Sequence, residues 1–138
     1  MVTTVPPAPL RLVFFGTPGF AVPTLEALLR SRHVVAGVVT QPDRPRGRGR
    51  KMIEAPVKAL AAAAGVPTLQ PQRLKDAVFL EKLVALRADL GVVAAYGKIL
   101  TDQVLAIPTH GFVNVHASLL PRYRGAAPVH RAVIAGER

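Results

Sequence analysis

A doubly wound α/β fold with a mainly parallel sheet is predicted by three features of this sequence. Apolar runs of strand length alternate with stretches of helical periodicity, and short turn-rich segments separate them. The runs at 34–39 and 90–95 are almost uninterrupted by polar residues, as expected of strands covered on both faces. A chain of this pattern is expected to order its strands about 3-2-1-4-5.

The elements follow in sequence. Residues 10–15 are apolar apart from Arg11 and end in Gly16-Thr17-Pro18, which reads as strand, tight turn and helix start. Thr17 is the expected cap and Pro18 the expected first helical residue. Ala21, Leu25, Leu28 and Leu29 then recur at helical spacing as far as Ser31, and 34–39 forms the second strand. Across 41–51 the composition shifts to Pro, Gly and Arg, which predicts a loop. Pro56, Val57, Leu60, Ala61 and Ala64 give a helix stopped by Gly65, and 66–69 is a weak strand. Asp76 suits the N-cap of a helix whose Phe79, Leu80, Leu83 and Val84 share one face, leading to a fourth strand at 90–95. Residues 101–107 make one or two helical turns closed before Pro108, 111–116 alternates as a fifth strand, and 126–136 is expected to be helical. Pro6, Pro7 and Pro9 mark residues 1–9 as a disordered lead-in.

With 138 residues, half of them hydrophobic, the chain has material for one buried core and not for two independent domains. Its 18 Lys and Arg against 8 Asp and Glu give a formal charge of +10, which predicts attraction to a polyanion, either nucleic acid or an anionic membrane surface. The absence of cysteine excludes a disulfide framework and a thiolate metal site and is compatible with a reducing cytoplasm. The start of the chain lacks the basic and apolar regions of a signal peptide, and no apolar run approaches the roughly 20 residues that span a bilayer. A cytoplasmic protein is expected.

Asn114 and His116 are two apart on the fifth expected strand, so they face the same side while Val113 and Val115 face the other. They stand at the C-terminal end of that strand, where open α/β sheets place their ligands. An imidazole moves a proton near neutral pH, and an amide NH2 donates to a developing oxyanion, so the pair suits acyl transfer to an amine. The same residues also fit a plain structural role, with Asn114 satisfying backbone groups at a strand end and His116 packing at the sheet edge.

The segment Asn114-Val115-His116-Ala117-Ser118-Leu119-Leu120-Pro121-Arg122-Tyr123-Arg124-Gly125-Ala126-Ala127-Pro128 resembles the active-site motif of the methionyl-tRNA formyltransferase family. Phe15-Gly16-Thr17-Pro18, Gln41-Pro42-Asp43-Arg44-Pro45 and Val93-Ala94-Ala95-Tyr96-Gly97-Lys98-Ile99-Leu100 agree with it in order and spacing, and the resemblance runs from about Leu10 to the end. It implies a Rossmann-like catalytic domain that transfers a formyl group from 10-formyltetrahydrofolate to the α-amino group of methionyl initiator tRNA, with no metal. His116 would take or relay the proton of the amine, and Asn114 would orient the formyl carbonyl and stabilise its oxyanion. Tyr96, Gly97, Lys98, Ile99 and Leu100, with Ser118, Leu119, Leu120 and Pro121, would line the folate pocket.

Arg44, Arg46, Arg48, Arg50 and Lys51 fall within eight residues, interleaved with Pro45, Gly47 and Gly49. Taken alone, such a run is a solvated loop as readily as a recognition element. The resemblance implies contact with the tRNA acceptor arm, with Arg48 at the arginine of the family's Arg-Gly-Lys element and Arg50 where lysine is usual, a change that keeps the charge but alters phosphate geometry. The family also pairs its histidine with an aspartate beyond the Ala-Ala-Pro helix, a place that Asp43, Asp76, Asp89 and Asp102 do not occupy. The expectation is therefore a partial catalytic domain over 10–138, with a sheet incomplete at its C-terminal end and the family's C-terminal tRNA-binding domain absent. Such a piece is expected to be inactive alone and the full-length protein to be a monomer.

Gly16-Thr17-Pro18-Gly19 is no dinucleotide fingerprint, and Thr40 and Gln41 stand where an oxidoreductase of this fold would carry an acidic residue, so that class is set aside. His33, His110 and His130 lack metal-ligand spacing and are expected at the surface or in loops. Two alternatives stay open: a folate-dependent formyltransferase acting on glycinamide ribonucleotide or an amino-sugar nucleotide, and a non-catalytic tRNA-binding module.

Overall fold

The computed structural model describes residues 8–17, 19–46, 51–53 and 55–115. Its frame is β1 (Arg11–Gly16), α1 (Val22–Leu29), β2 (Val34–Val39), β3 (Arg44–Arg46), β4 (Lys51–Ile53), α2 (Pro56–Ala63), β5 (Thr68–Leu69), α3 (Ala77–Ala85), β6 (Leu90–Ala94), α4 (Asp102–Leu105) and β7 (Phe112–Asn114). Five strands form one sheet in the order β5-β2-β1-β6-β7, with every pairing parallel. Numbered along the chain within that sheet, this is the expected 3-2-1-4-5 order. The strand order reverses at β1, which lies between β2 and β6.

Alternation along β1 divides the core between two faces. Val13 and Phe15 pack with Phe79 and Leu83 of α3, Val104 of α4 and Phe112 of β7. Phe14 packs instead with Leu25 of α1 and with Val57 and Ala61 of α2. Each face of a parallel sheet needs an apolar cover because its strands carry apolar residues on both sides, and the two helix pairs supply it. β7 obeys the same rule: Phe112 joins the α3 side, and Val113 packs with Val115 on the α1 side.

The caps differ in their agreement with expectation. Asp76 caps α3, its carboxylate accepting from the Val78 amide at 3.2 Å. Thr101 caps α4 in the same way, accepting from Val104 at 3.1 Å. Thr17 does not cap α1: a short 3-10 turn at Gly19–Ala21 intervenes, Ala21 holds the cap position, and the Thr17 hydroxyl turns to other partners. α2 ends ahead of Gly65, as expected. Where a loop is expected across 41–51, β3 and β4 pair antiparallel, with Arg44 opposite Ile53 and Arg46 opposite Lys51. Pro45 sits opposite Met52 on what is an isolated two-stranded ribbon, a place where a missing N–H is tolerated. Residues 1–7 of the expected lead-in at 1–9, and the expected helix at 126–136, lie outside the described residues.

Candidate active site

Among the described residues, a cluster of polar side chains with long-range partners lies at the C-terminal edge of the sheet. Thr17 follows β1, Thr40 and Gln41 follow β2, Gln70 follows β5, and Ala95 to Gly97 lead away from β6. Thr40 Oγ1 donates to Thr17 Oγ1 at 3.1 Å, the Gln41 amide donates to the same oxygen at 3.2 Å, and the Thr17 amide donates to the Ala95 carbonyl at 3.1 Å. Gln41 Nε2 donates to the Tyr96 carbonyl at 2.8 Å, and Thr17 Oγ1 reaches that carbonyl at 3.4 Å. Thr40 and Gln41 are the two buried polar residues of the described core, and these bonds are what make their burial tolerable.

This network grips an unusual piece of backbone. Ala95 is left-handed at φ 57°, a conformation that costs a residue bearing a Cβ roughly 1–2 kcal/mol, and Gly97 follows at φ 93°. The bonds from Thr17 and Gln41 hold the exit in that shape, so the turn after β6 is fixed from the exits of β1 and β2. A Cβ at Gly97 would come within 3.4 Å of Gln41 Nε2 as well as straining the backbone. Beyond it, Lys98 Nζ donates to the Gln72 carbonyl at 2.9 Å and Ile99 is 91% exposed.

The residues singled out from sequence distribute as follows. Asn114 ends β7, in register with Val93 of β6, and is half-buried; the Val115 amide continues the pairing to the Val93 carbonyl at 2.8 Å. Tyr96 brings only its backbone to the edge, because its ring lies in the core at 1% exposure, edge-on to Phe15 with centroids 5.3 Å apart. Burial pushes the Tyr96 phenol up to about 12, and its hydroxyl finds no hydrogen-bond partner among the described residues. Leu100 packs against the α3-side core. Arg44 and Arg46 fall on β3 and Lys51 on β4. His116, Ser118, Leu119, Leu120 and Pro121, with Arg48 and Arg50, lie outside the described residues.

A second polar cluster roots the β3-β4 hairpin. Asp43 Oδ2 accepts from Lys58 Nζ at 3.0 Å and Oδ1 from Gln70 Nε2 at 2.9 Å, while Gln70 Nε2 also donates to the Gln41 carbonyl at 3.1 Å. The Gln70 hydrogen bond, with Lys58 beside it, holds the Asp43 carboxyl below its ordinary value of 3.8. Sequence reading gave Thr17 a cap role and left Gln41, Gln70, Asp43 and Lys58 without one; the only signal was that Gln41-Pro42-Asp43 belongs to a shared motif. The N-terminal edge is tied differently, by the Asp89 carboxylate and the Leu86 carbonyl to Arg11 and by His33 Nδ1 to the Leu10 amide at 2.9 Å. His110 is exposed, and among the described residues no group of three or more His, Asp or Glu stands ready to hold a metal ion. Nor is any described helix long and apolar enough to cross a membrane.

The formyl transferase family model matches residues 10–138. A methionyl-tRNA formyltransferase of Moorella thermoacetica is 59% identical over 128 residues, covering 93% of this chain and 41% of that protein. One of Methylococcus capsulatus is 59% identical over 129 residues, covering 94% of this chain and 42% of that protein. The chain thus spans less than half the length of the curated relatives it matches. Among solved structures, glycinamide ribonucleotide transformylase 1 of Symbiobacterium toebii aligns with a TM-score of 0.60 at 24% identity, over 86% of this chain and 56% of that one, a likeness of fold.

Proposed function

The chain belongs to the formyl transferase family, and on that premise we propose that residues 10–138 are part of the catalytic domain of a methionyl-tRNA formyltransferase. The reaction is transfer of the formyl group of 10-formyltetrahydrofolate to the α-amino group of methionyl initiator tRNA, in the cytoplasm. The observation that carries this reading is the place of Asn114: it ends β7 beside β6, at the C-terminal edge where the pinned turn from Ala95 to Gly97 also emerges.

The chemistry follows from that placement. The amine nitrogen attacks the formyl carbon, a C–N bond forms, and the carbonyl oxygen gathers negative charge. The Asn114 amide NH2 donates to that oxygen, and His116 accepts the proton released by the amine. Collapse of the tetrahedral species breaks the bond to N10 of the folate, which takes a proton in turn. The backbone from Tyr96 to Leu100, with exposed Ile99, suits the flat pterin, and Ser118, Leu119, Leu120 and Pro121 complete its pocket. Arg44, Arg46, Arg48, Arg50 and Lys51 serve the acceptor arm of the tRNA, in keeping with the charge of +10. Glycinamide ribonucleotide is the competing acceptor, but a basic hairpin has no work to do on so small a substrate.

The deciding experiment is formyl transfer from 10-formyltetrahydrofolate to charged initiator methionyl-tRNA, running this chain beside one extended to the length of its relatives. Turnover by the extended chain supports the assignment, and turnover by the short chain as well means that no residue beyond 138 is needed. Inactivity of a folded extended chain overturns the assignment.

A further inference from the structure

Three bonds converge on the carbonyls that follow β6, and one of them crosses a neighbouring strand. β2 and β6 are not adjacent in the sheet, since β1 lies between them. The Gln41 side chain, following β2, therefore passes over the exit of β1 to donate Nε2 to the Tyr96 carbonyl at 2.8 Å. Tyr96 stands between two left-handed residues, Ala95 at φ 57° and Gly97 at φ 93°. Gly97 adopts that shape freely, whereas the Cβ of Ala95 opposes it. A residue with a Cβ keeps such a conformation only where its surroundings hold it there. The holding bonds come from the Thr17 amide to the Ala95 carbonyl at 3.1 Å, and from Thr17 Oγ1 at 3.4 Å and Gln41 to the Tyr96 carbonyl. The Gln41 bond is the shortest of the three, and Gln41 is only 8% exposed, so little water competes for it. Past the turn the chain changes character: Gly97, Lys98 and Ile99 are exposed, and the backbone groups of Gly97, Ile99 and Leu100 make no hydrogen bond to a described residue. Where those peptide groups point is set by the angles at Ala95 and Gly97.

We propose that Gln41 is a positioning residue for the folate co-substrate: its bond to the Tyr96 carbonyl keeps Ala95 left-handed and so fixes the direction in which the segment from Gly97 to Leu100 meets the pterin. The inference rests on the reading of that segment as a wall of the folate pocket and adds the residue that sets its shape. Two simpler roles make different forecasts. If Gln41 merely satisfies a buried carbonyl, its loss lowers the melting temperature and leaves folate affinity as it was. If Gln41 touches the folate itself, its loss costs affinity whatever residue stands at position 95. A positioning role ties the loss to the strain at Ala95, because apparent affinity falls with the fraction of molecules whose turn has the binding shape.

The test uses the chain extended to the length of its relatives and measures KM for 10-formyltetrahydrofolate and for initiator methionyl-tRNA, with calorimetric binding of 5-formyltetrahydrofolate beside them. Gln41→Met keeps the length of the side chain and removes the donor. It is expected to raise the folate KM and Kd about five-fold, the size of one net hydrogen bond, and to leave the tRNA KM unchanged. Ala95→Gly takes up the left-handed turn with no Cβ to oppose it, so in that background Gln41→Met should cost about two-fold or less. That comparison, made against Ala95→Gly alone, stands even if Gln41→Met by itself does not fold. Ile99→Asp, at a side chain 91% exposed, tests the underlying reading without disturbing the core. Folate binding unchanged by Ile99→Asp overturns the reading of the segment as a folate wall, and the proposal with it. Folate binding weakened by Ile99→Asp but not by Gln41→Met overturns the positioning role alone. An equal loss from Gln41→Met in both backgrounds also overturns it, and assigns Gln41 to direct contact with the folate.

Discussion

The place of Asn114 at the end of β7 was legible in the sequence because it depends on local facts, the alternation along a short strand and the turn-rich run that follows. If its amide stabilises the oxyanion, Asn114→Ala should lower kcat for formyl transfer about a hundredfold to a thousandfold while leaving the KM for tRNA nearly unchanged, as steady-state kinetics would show. Gln41 was not legible in this way, since its bond to the Tyr96 carbonyl joins residues 55 apart and leaves no trace in either neighbourhood. Gln41→Leu leaves that carbonyl only the longer bond from Thr17 Oγ1 at 3.4 Å and should cost about 1 kcal/mol in a urea melt. Tyr96 makes the reverse case. Its phenol is raised from 10.0 to about 12, so the stability that comes from keeping it neutral is complete below pH 10 and is lost as pH rises from there through 12. Tyr96→Phe should abolish that alkaline loss without destabilising the neutral protein, because the hydroxyl has no partner among the described residues. A fall in neutral stability would reveal a partner for it.

At the scale of elements, strands and helices with strong periodicity were read correctly and the exceptions have physical causes. β2 runs from Val34 to Val39 as its apolar run predicts. The ribbon of β3 and β4 was read as a loop because Pro, Gly and Arg carry no period-2 signal, although its backbone pairs in antiparallel register. Thr17 was assigned to a helix that starts four residues later than its neighbours suggest, and its hydroxyl answers to Thr40 and Gln41 across the sheet. The pairing of β6 with β7 depends on a feature that sequence hides altogether. Gly91 lies directly opposite Phe112, and a Cβ there would run into the phenyl ring, which also stands edge-on to Phe15 at 5.3 Å. Gly91→Ala should therefore destabilise by about 1–3 kcal/mol through overpacking, and Phe112→Leu in that background should recover part of the loss in thermal unfolding. Additive losses would mean that the glycine serves something other than the ring.

The whole molecule joins two features that were separable in the sequence, a doubly wound sheet and a charge of +10. Strand order could be anticipated because parallel connections with right-handed crossovers leave few arrangements for alternating strands and helices. Which polar side chains meet at the C-terminal edge could not, because that depends on where each strand ends relative to its neighbours. Charge and chemistry make different demands on the same chain. Attraction of +10 to RNA is long-ranged and indifferent to sequence, whereas the proposed formyl transfer would need Asn114 and His116 at one reacting carbonyl. The two should therefore come apart on mutation. His116→Ala is expected to bind initiator tRNA with the affinity of wild type, and with the same steep fall as salt rises from 50 to roughly 200 mM, while losing formyl transfer. Because the salt term is set by phosphate contacts, removing two arginines from β3 should flatten that fall without altering the pH profile of whatever turnover remains. Binding that ignores salt would show that the charge of the chain is not what brings it to RNA, and the acceptor would then have to be sought among smaller substrates.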